Sequence, residues 1–348
     1  MQKNRLGRTE IQVSHYCLGS MTWGRQTAAR AAHAQIDLAL DHGINFIDTA
    51  EMYPVNPVSA ETVGRTERII GLWFDANPSR RGDVILASKH TGAGSKAVRD
   101  GAPITAKSIR DAIEGSLRRL KTDYIDIYQF HWPNRGSYHF RQNWTYDPSG
   151  QDRRQVLDNM AECLHQLEEE RQRGTIRYFG LSNETAWGAV QWLRLSKATD
   201  TPRPVTIQNE YNLLCRHFDT DLAEVALNED LGLIAYSPLA AGLLTGKYQG
   251  HAVPKGSRMD RVPELGGRKT PRAFAAVDDY LDLAFKHDLD LIQMANQWVA
   301  TRPFSTAAII GATTLDQLKL ILAGADLKLS DEVLKDIDIV HRDHPMVY

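Results

Sequence analysis

Apolar and polar positions vary along this chain on two scales. Short apolar runs recur at 15–20 (HYCLGS), 44–50 (INFIDTA), 83–89 (DVILASK), 124–132 (YIDIYQFHW), 176–183 (IRYFGLSN), 205–212 (VTIQNEYN), 231–239 (LGLIAYSPL) and 305–314 (STAAIIGATT). Between them lie longer stretches whose apolar residues fall mostly at i, i+3 and i+4. These predict helices over about 28–42, from 106, 155–172, 185–197, 219–230, 273–287 and 314–323, with Gly43 ending the first. Strand-like runs that each lead into a helix predict a parallel sheet. Eight such units predict a closed (β/α)8 TIM barrel rather than an open doubly wound sheet. No GxGxxG follows any strand, which also points away from the dinucleotide-binding open sheet.

Residues 1–13 precede the first unit. They predict a short N-terminal hairpin turning at Gly7 and Arg8, placed as a plug over the bottom of the barrel. Ser330-Asp331-Glu332-Val333 opens an N-capped extra C-terminal helix over 330–340. With no low-complexity tract and no linker, residues 1–348 read as one domain. Long loops follow three strands, at 54–66, 132–154 and 240–271. In such a barrel the loops after strands build the active site.

Composition narrows the class. Hydrophobic residues are 42% and charged residues 24%, as in ordinary globular proteins. A formal net charge of −2, with Lys and Arg scattered, gives no bias toward nucleic acid or membrane. Cys17, Cys163 and Cys215 are far apart with no CxxC, so neither a disulfide framework nor a zinc site is expected. The opening segment lacks the apolar core of a secretory signal, and no long apolar run occurs. A cytoplasmic protein is expected. Nothing in the sequence sets an oligomeric state.

The strand ends carry the chemistry. Asp48 ends the second run, with Tyr53 in the loop beyond; Lys89 ends the third and His131 the fourth. Singly, each has an ordinary explanation: a turn cap, a rim aromatic, a solvated lysine, a satisfied polar group. Together they form a proton-transfer set. A nearby ammonium is expected to lower the tyrosine pKa from about 10. Asp48 would keep Lys89 charged, and a neutral His131 would orient a carbonyl. Tyr53 would then act as general acid in carbonyl reduction, with the hydride coming from a cofactor. Other strand ends suit a nicotinamide cofactor. Ser182, Asn183 and Gln208 offer amides and hydroxyls, and Tyr236 a face for stacking. The GATT segment at 311–314 runs into a helix N-terminus, which attracts phosphate. Lys247 and Arg258 are candidate phosphate clamps or simply solvated loop charges. Trp23 and Trp132, at strand ends, are candidate substrate-pocket residues, and Trp144 and Tyr146 candidate loop supports. The histidines of HRDH (341–344) read as a solvated tail rather than a metal site.

With LGSMTWG (18–24), INFIDTAEMY (44–53), ILASK (85–89), YIDIYQFHWP (124–133), IRYFGLSN, TIQNEYN (206–212), IAYSPLAAGLLTGKY (234–248) and IIGATT (309–314), the chain resembles the aldo-keto reductase superfamily over nearly its whole length. Within it, AEMYPV and GATT-DQLK are most similar to the bacterial Tas-like branch. The resemblance implies NADPH-dependent reduction of an aldehyde or ketone. It puts Asp48, Tyr53, Lys89 and His131 on the catalytic tetrad, and Ser182, Asn183 and Gln208 on the nicotinamide carboxamide. Tyr236 falls on the stacking aromatic. Ser237, Leu239, Gly242, Lys247 and Arg258 fall in the loop that straps the pyrophosphate and 2′-phosphate. Gly311, Thr313 and Gln317 fall in the adenosine-phosphate segment, with Ser20 and Met21 on the cofactor side of the first strand. Three departures stand out. Pro54 replaces a common glycine, Thr313 a common arginine, and Leu320-Ile321 a common Glu-Asn. The adenine end is therefore expected to bind less tightly, with NADPH still favoured over NADH through Lys247 and Arg258. The runner-up is a cofactor-binding regulatory protein like the channel-associated relatives of the superfamily. A metal-dependent barrel hydrolase ranks below both, since only His131 and Asp48 could serve as ligands.

Overall fold

All eight apolar runs become strands of one closed parallel barrel in the computed structural model, which describes residues 1–348. A two-stranded antiparallel hairpin comes first, β1 (Lys3–Arg5) and β2 (Gln12–Ser14). The barrel strands are β3 (Tyr16–Gly19), β4 (Phe46–Asp48), β5 (Ile85–His90), β6 (Ile125–Phe130), β7 (Ile176–Ser182), β8 (Pro204–Glu210), β9 (Gly232–Tyr236) and β10 (Ser305–Ile310). They pair in chain order, and β10 closes on β3 through Ala308 with Tyr16, Ile309 with Cys17 and Ile310 with Leu18. The helices are α1 (Ala29–Asp41), α2 (Arg65–Ala76), α3 (Ala106–Leu120), α4 (Arg153–Gln172), α5 (Ala186–Thr199), α6 (Leu222–Glu229), α7 (Arg258–Arg261), α8 (Pro271–Lys286), α9 (Leu291–Ala300), α10 (Leu315–Ala323) and α11 (Asp331–Asp343). None is long and apolar enough to cross a membrane.

Alternation along the strands sorts side chains to two cores. Inward positions Cys17, Phe46, Ala87, Ile127, Val205, Ile234, Ala307 and Ile309 fill the lower barrel. Leu6, Ile11 and Val13 of the hairpin complete that cluster, so the hairpin is the expected plug. Its turn brings Gly7 against β8. Gly7 has φ +53°, and a Cβ there would lie 2.6 Å from the Val205 carbonyl oxygen. The outward positions meet the helices in a larger apolar shell.

Besides the single-turn α7, two helices were not anticipated, α2 and α9, and each of these lacks a usual signal. Before α2 stands Gly64 at φ 75°, with no side-chain cap to announce a start. In α9, residues 294–300 are all buried, so no polar face marks its period. This helix packs on β10, whereas α8, expected over 273–287 as the helix of the seventh unit, pairs with α11 outside it. The extra C-terminal helix is α11, capped by Ser330 as expected.

The interface of α2 with α3 is close. Buried Glu67 accepts from Arg119 Nε at 2.6 Å and from Ser88 Oγ at 2.6 Å. Gly71 leaves no room: a Cβ would sit 2.2 Å from the Arg119 carbonyl oxygen. In a free helix Gly→Ala stabilises by up to about 1 kcal/mol. Here Gly71→Ala is expected to destabilise by about 1–3 kcal/mol through overpacking. Urea unfolding midpoints decide the sign, and a variant more stable than the parent would refute the packing argument.

Candidate active site

Above the apolar plug the barrel interior turns polar. On β6 the inward positions run Ile127, Gln129 and then His131 just past the strand, a period of two. Asp48 ends β4 and Lys89 lies near the end of β5. Lys89 has no solvent exposure and Asp48 only 2%. Their charges therefore need internal partners. Lys89 Nζ donates to Asp48 Oδ2 at 2.6 Å, to Thr49 O at 2.7 Å and to Tyr53 Oη at 3.4 Å. Asp48 Oδ1 accepts from Gln208 Nε2 at 2.8 Å and Gln129 Nε2 at 3.3 Å. Gln129 was not singled out in the sequence. Its signal was available, since two residues before His131 on a strand is the same face.

Tyr53 returns to the opening through a tight turn, its amide bonded to Ala50 O at 3.1 Å. Its ring meets His131 edge-on at 5.8 Å. Met52, Tyr53, Ala50 and Val98 form an apolar patch, with Met21, Val55, Val58, Val63 and Trp132 packed against it. Met21 thus lies on the tyrosine side of the mouth. The loop opened by Pro54 supplies Val55, Val58 and Val63 to this patch.

Burial sets the protonation states. It works against the Lys89 ammonium, but Asp48 and then Tyr53 outweigh it and the pKa ends above its ordinary value. For Tyr53, burial pushes the phenol up, Lys89 pulls it down and Asp48 pushes it up again; the net is a rise. The expected lowering is therefore corrected: desolvation exceeds the pull of the ammonium, and Tyr53 rests as the neutral phenol. Burial, seconded by Lys89, holds His131 well below its ordinary value, so its imidazole is neutral. Its Nδ1 is buried with no hydrogen-bond partner.

Ser182, Asn183, Gln208 and Tyr236 gather at adjoining strand ends. Tyr236 Oη donates to Asn183 Oδ1 at 2.7 Å, and Asn183 Nδ2 donates to His131 O at 2.9 Å and Ser182 Oγ at 3.1 Å. Ser20, fully buried, donates to Asp48 O at 2.7 Å. Past β9, Ser237 at φ 57° opens a series of turns through Leu239 and Gly242 (φ +97°) to Lys247. Arg258 begins α7. Burial and the neighbouring Arg268 cation lower its guanidinium pKa, and only the Tyr248 hydroxyl acts the other way. Beyond β10, Gly311 is exposed, with open space where a Cβ would be. Thr313 donates through its amide and hydroxyl to Gln317 Oε1 at 2.9 and 3.0 Å.

One pocket assignment is corrected. Trp23 has no exposed surface; it joins the outer apolar shell and donates Nε1 to Gln35 at 3.0 Å. Residues 20–27 form turns beyond β3, which carry the indole under α1 instead of over the mouth. Trp132 does reach the rim, donating to Ala93 O at 2.9 Å and meeting Phe140 edge-on. Trp144 is 64% exposed, and Tyr146 accepts from Gln151 within its own loop. Of the HRDH histidines, His344 lies 2.5 Å from Asp279. Ile321, expected at the adenine end, is buried in the shell, with Leu320 beside it exposed.

A family model described as the aldo/keto reductase family matches residues 16–342. The chain is 43% identical to "Protein tas" of Escherichia coli over 98% of both chains. It is 32% identical to "Uncharacterized oxidoreductase YrpG" of Bacillus subtilis, covering 96% of this chain and 94% of that one. Similarity extends to a "Probable voltage-gated potassium channel subunit beta" of Arabidopsis thaliana, 29% identical over 99% of this chain and 98% of the other.

Buried histidines give this region a pH signature. Burial pushes His90 and His139 from 6.5 down to about 4 each and also holds His131 well below its ordinary value. As pH falls below 6.5 the unfolded chain takes protons at these sites while the native state does not. Stability must therefore fall with pH between about 6.5 and 4, each site adding at most about 1.4 kcal/mol per pH unit. Unfolding midpoints across this window test it; a flat profile from pH 7 to about 4.5 would contradict the neutral assignment.

Proposed function

Because the chain belongs to the aldo/keto reductase family, we propose that it reduces an aldehyde or ketone to an alcohol with NADPH, using Tyr53 as proton donor. The observation that carries this reading is the Tyr53 hydroxyl held 3.4 Å from a buried, aspartate-paired lysine. The residues present fit such a cofactor. Arg258 is a half-buried cation pressed by a second cation and suits an anionic group such as the 2′-phosphate. Lys247 follows a series of turns on the same loop, and the open space at Gly311 allows close approach to backbone amides. Ser182, Asn183 and Gln208 would hold the nicotinamide carboxamide by exchanging some of their mutual bonds, and Tyr236 would stack on the ring. NADPH supplies the hydride.

The rest of the chemistry belongs to the chain. Neutral His131, with its unpartnered Nδ1, orients the carbonyl oxygen without competing as an acid. Tyr53 Oη gives its proton to that oxygen as charge develops there. Lys89 stabilises the phenolate left behind, and Asp48 keeps Lys89 charged. The raised resting pKa of Tyr53 keeps the proton in place until the carbonyl is bound.

Tyr53→Phe is expected to lower kcat by about 10²–10⁴-fold with NADPH binding retained. Consumption of NADPH with a panel of aldehydes and ketones measures it; unchanged turnover would remove the proton-donor role. Arg258→Ala should weaken NADPH by about tenfold or more and leave NADH nearly unaffected, since a charge-assisted contact is worth about 1.5–3 kcal/mol. Equal weakening of both would remove the 2′-phosphate role. The likeness to a potassium channel β subunit keeps a regulatory reading in view, in which nucleotide binding matters more than turnover. Tight NADPH binding with no turnover on any carbonyl would favour it.

A further inference from the structure

Glu51 stands two residues before Tyr53 and is only 4% exposed. Its carboxylate takes both terminal nitrogens of Arg99, Nη1 at 2.8 Å and Nη2 at 2.7 Å. The Thr91 amide donates to the same carboxylate at 2.5 Å. The Glu51 amide in turn donates to Lys89 O at 3.3 Å, and Arg99 Nη2 to Thr91 O at 3.0 Å. Three pieces of chain meet here: the turn that carries Tyr53, the strand end that carries Lys89, and the loop between β5 and α3.

The arrangement is held at a cost. Arg99 (φ 46°) and Asp100 (φ 51°) are consecutive non-glycine residues in the left-handed region. Arg99 Nε and Thr91 Oγ1 are buried without partners. A loop free to relax would shed these penalties. Burial alone would push the Glu51 carboxyl up, but Arg99, His90 and the Thr91 amide bring it below its ordinary value, so it is ionised. The Tyr53–Lys89 contact that it borders has little slack: 3.4 Å is at the long edge of hydrogen bonding, and about 0.5 Å more would end it.

We infer that Glu51 and Arg99 are positioning residues for proton transfer, a clasp that sets Tyr53 against Lys89 without touching substrate. The inference rests on the proposed role of Tyr53. A two-pronged guanidinium fixes distance and direction together, which a single contact does not.

The test uses the full-length protein with NADPH and a carbonyl that it reduces. Arg99→Ala is expected to lower kcat about 30–100-fold, with carbonyl KM and NADPH affinity within about threefold of wild type. Arg99→Lys keeps the charge but only one prong, and should recover part of the loss, leaving kcat about five- to tenfold below wild type. In a Tyr53→Phe background Arg99→Ala should add less than about a twofold effect, because the group it positions is gone. An unchanged kcat in folded Arg99→Ala, a change confined to KM, or full slowing in the Tyr53→Phe background would each overturn the inference. Should Arg99→Ala fail to fold, Glu51→Gln carries the test, with kcat expected about tenfold lower at unchanged KM; unchanged kcat there overturns it equally. Wild-type rates in Tyr53→Phe alone would sink the proton-donor reading itself. An inactive Tyr53→Phe beside a fully active Arg99→Ala would sink only the clasp.

Discussion

A lysine ammonium and an aspartate carboxylate share the inside of this barrel with almost no access to water. Taking two such charges out of water costs several kcal/mol each, and attraction between them repays this only when the remaining hydrogen-bonding capacity is also filled. Here it is filled. Lys89 has three N–H groups and three acceptors; Asp48 has the lysine on one oxygen and two glutamine amides on the other. The donors and acceptors come from β4, β5, β6 and β8 and from the turn after β4. No single strand pair could assemble them. The ion pair thus presupposes the closed barrel.

The barrel tolerates that pair because its interior is divided along its axis. The lower part is apolar and sealed by Leu6, Ile11 and Val13, so it supplies the packing that the polar layer cannot. The upper part holds the charges, and above them lie Tyr53, His131 and the long loops. Desolvation then acts on every titratable group at once. It holds His131 neutral and keeps the phenol of Tyr53 protonated, while Asp48 keeps Lys89 charged. One environment produces a neutral acid, a neutral donor-acceptor and a permanent cation within a few ångströms.

Much of this was legible in the sequence because it is written at strand ends. Alternation located the strands, and the residue finishing each strand had to reach the mouth; Asp48, Lys89 and His131 do. Tyr53 was legible from its distance beyond Asp48. What escaped was set by tertiary context. Gly64 starts α2 in the left-handed region, with no cap to mark where it begins, and α9 is buried nearly all round, so its own periodicity fell silent. Trp23 follows a strand end, yet the turns after β3 direct it into the helix layer. The sign of the Tyr53 shift depended on weighing burial against Lys89, and burial is not visible in a string of letters. Gln129 and Glu51 were overlooked because neither ends a strand at the mouth; Gln129 bonds the Asp48 carboxylate and Glu51 the Lys89 backbone from one residue further out.

The pairing of β10 with β3 has a consequence for how the protein comes into being. Tyr16, Cys17 and Leu18 find their second neighbours only at 308–310, from the far end of the chain. During synthesis β3 emerges early and keeps one edge without a partner until nearly everything else has left the ribosome. Any shorter length of chain presents two open sheet edges, the state most prone to pair with another molecule. Long-range closure of this kind is also slow, since loop entropy is lost before contacts compensate. Ser20, just past β3, and Gly311, just past β10, lie on either side of that seam. This part of the rim is therefore completed by the same late event that removes the open edges, and a half-made barrel has no finished mouth.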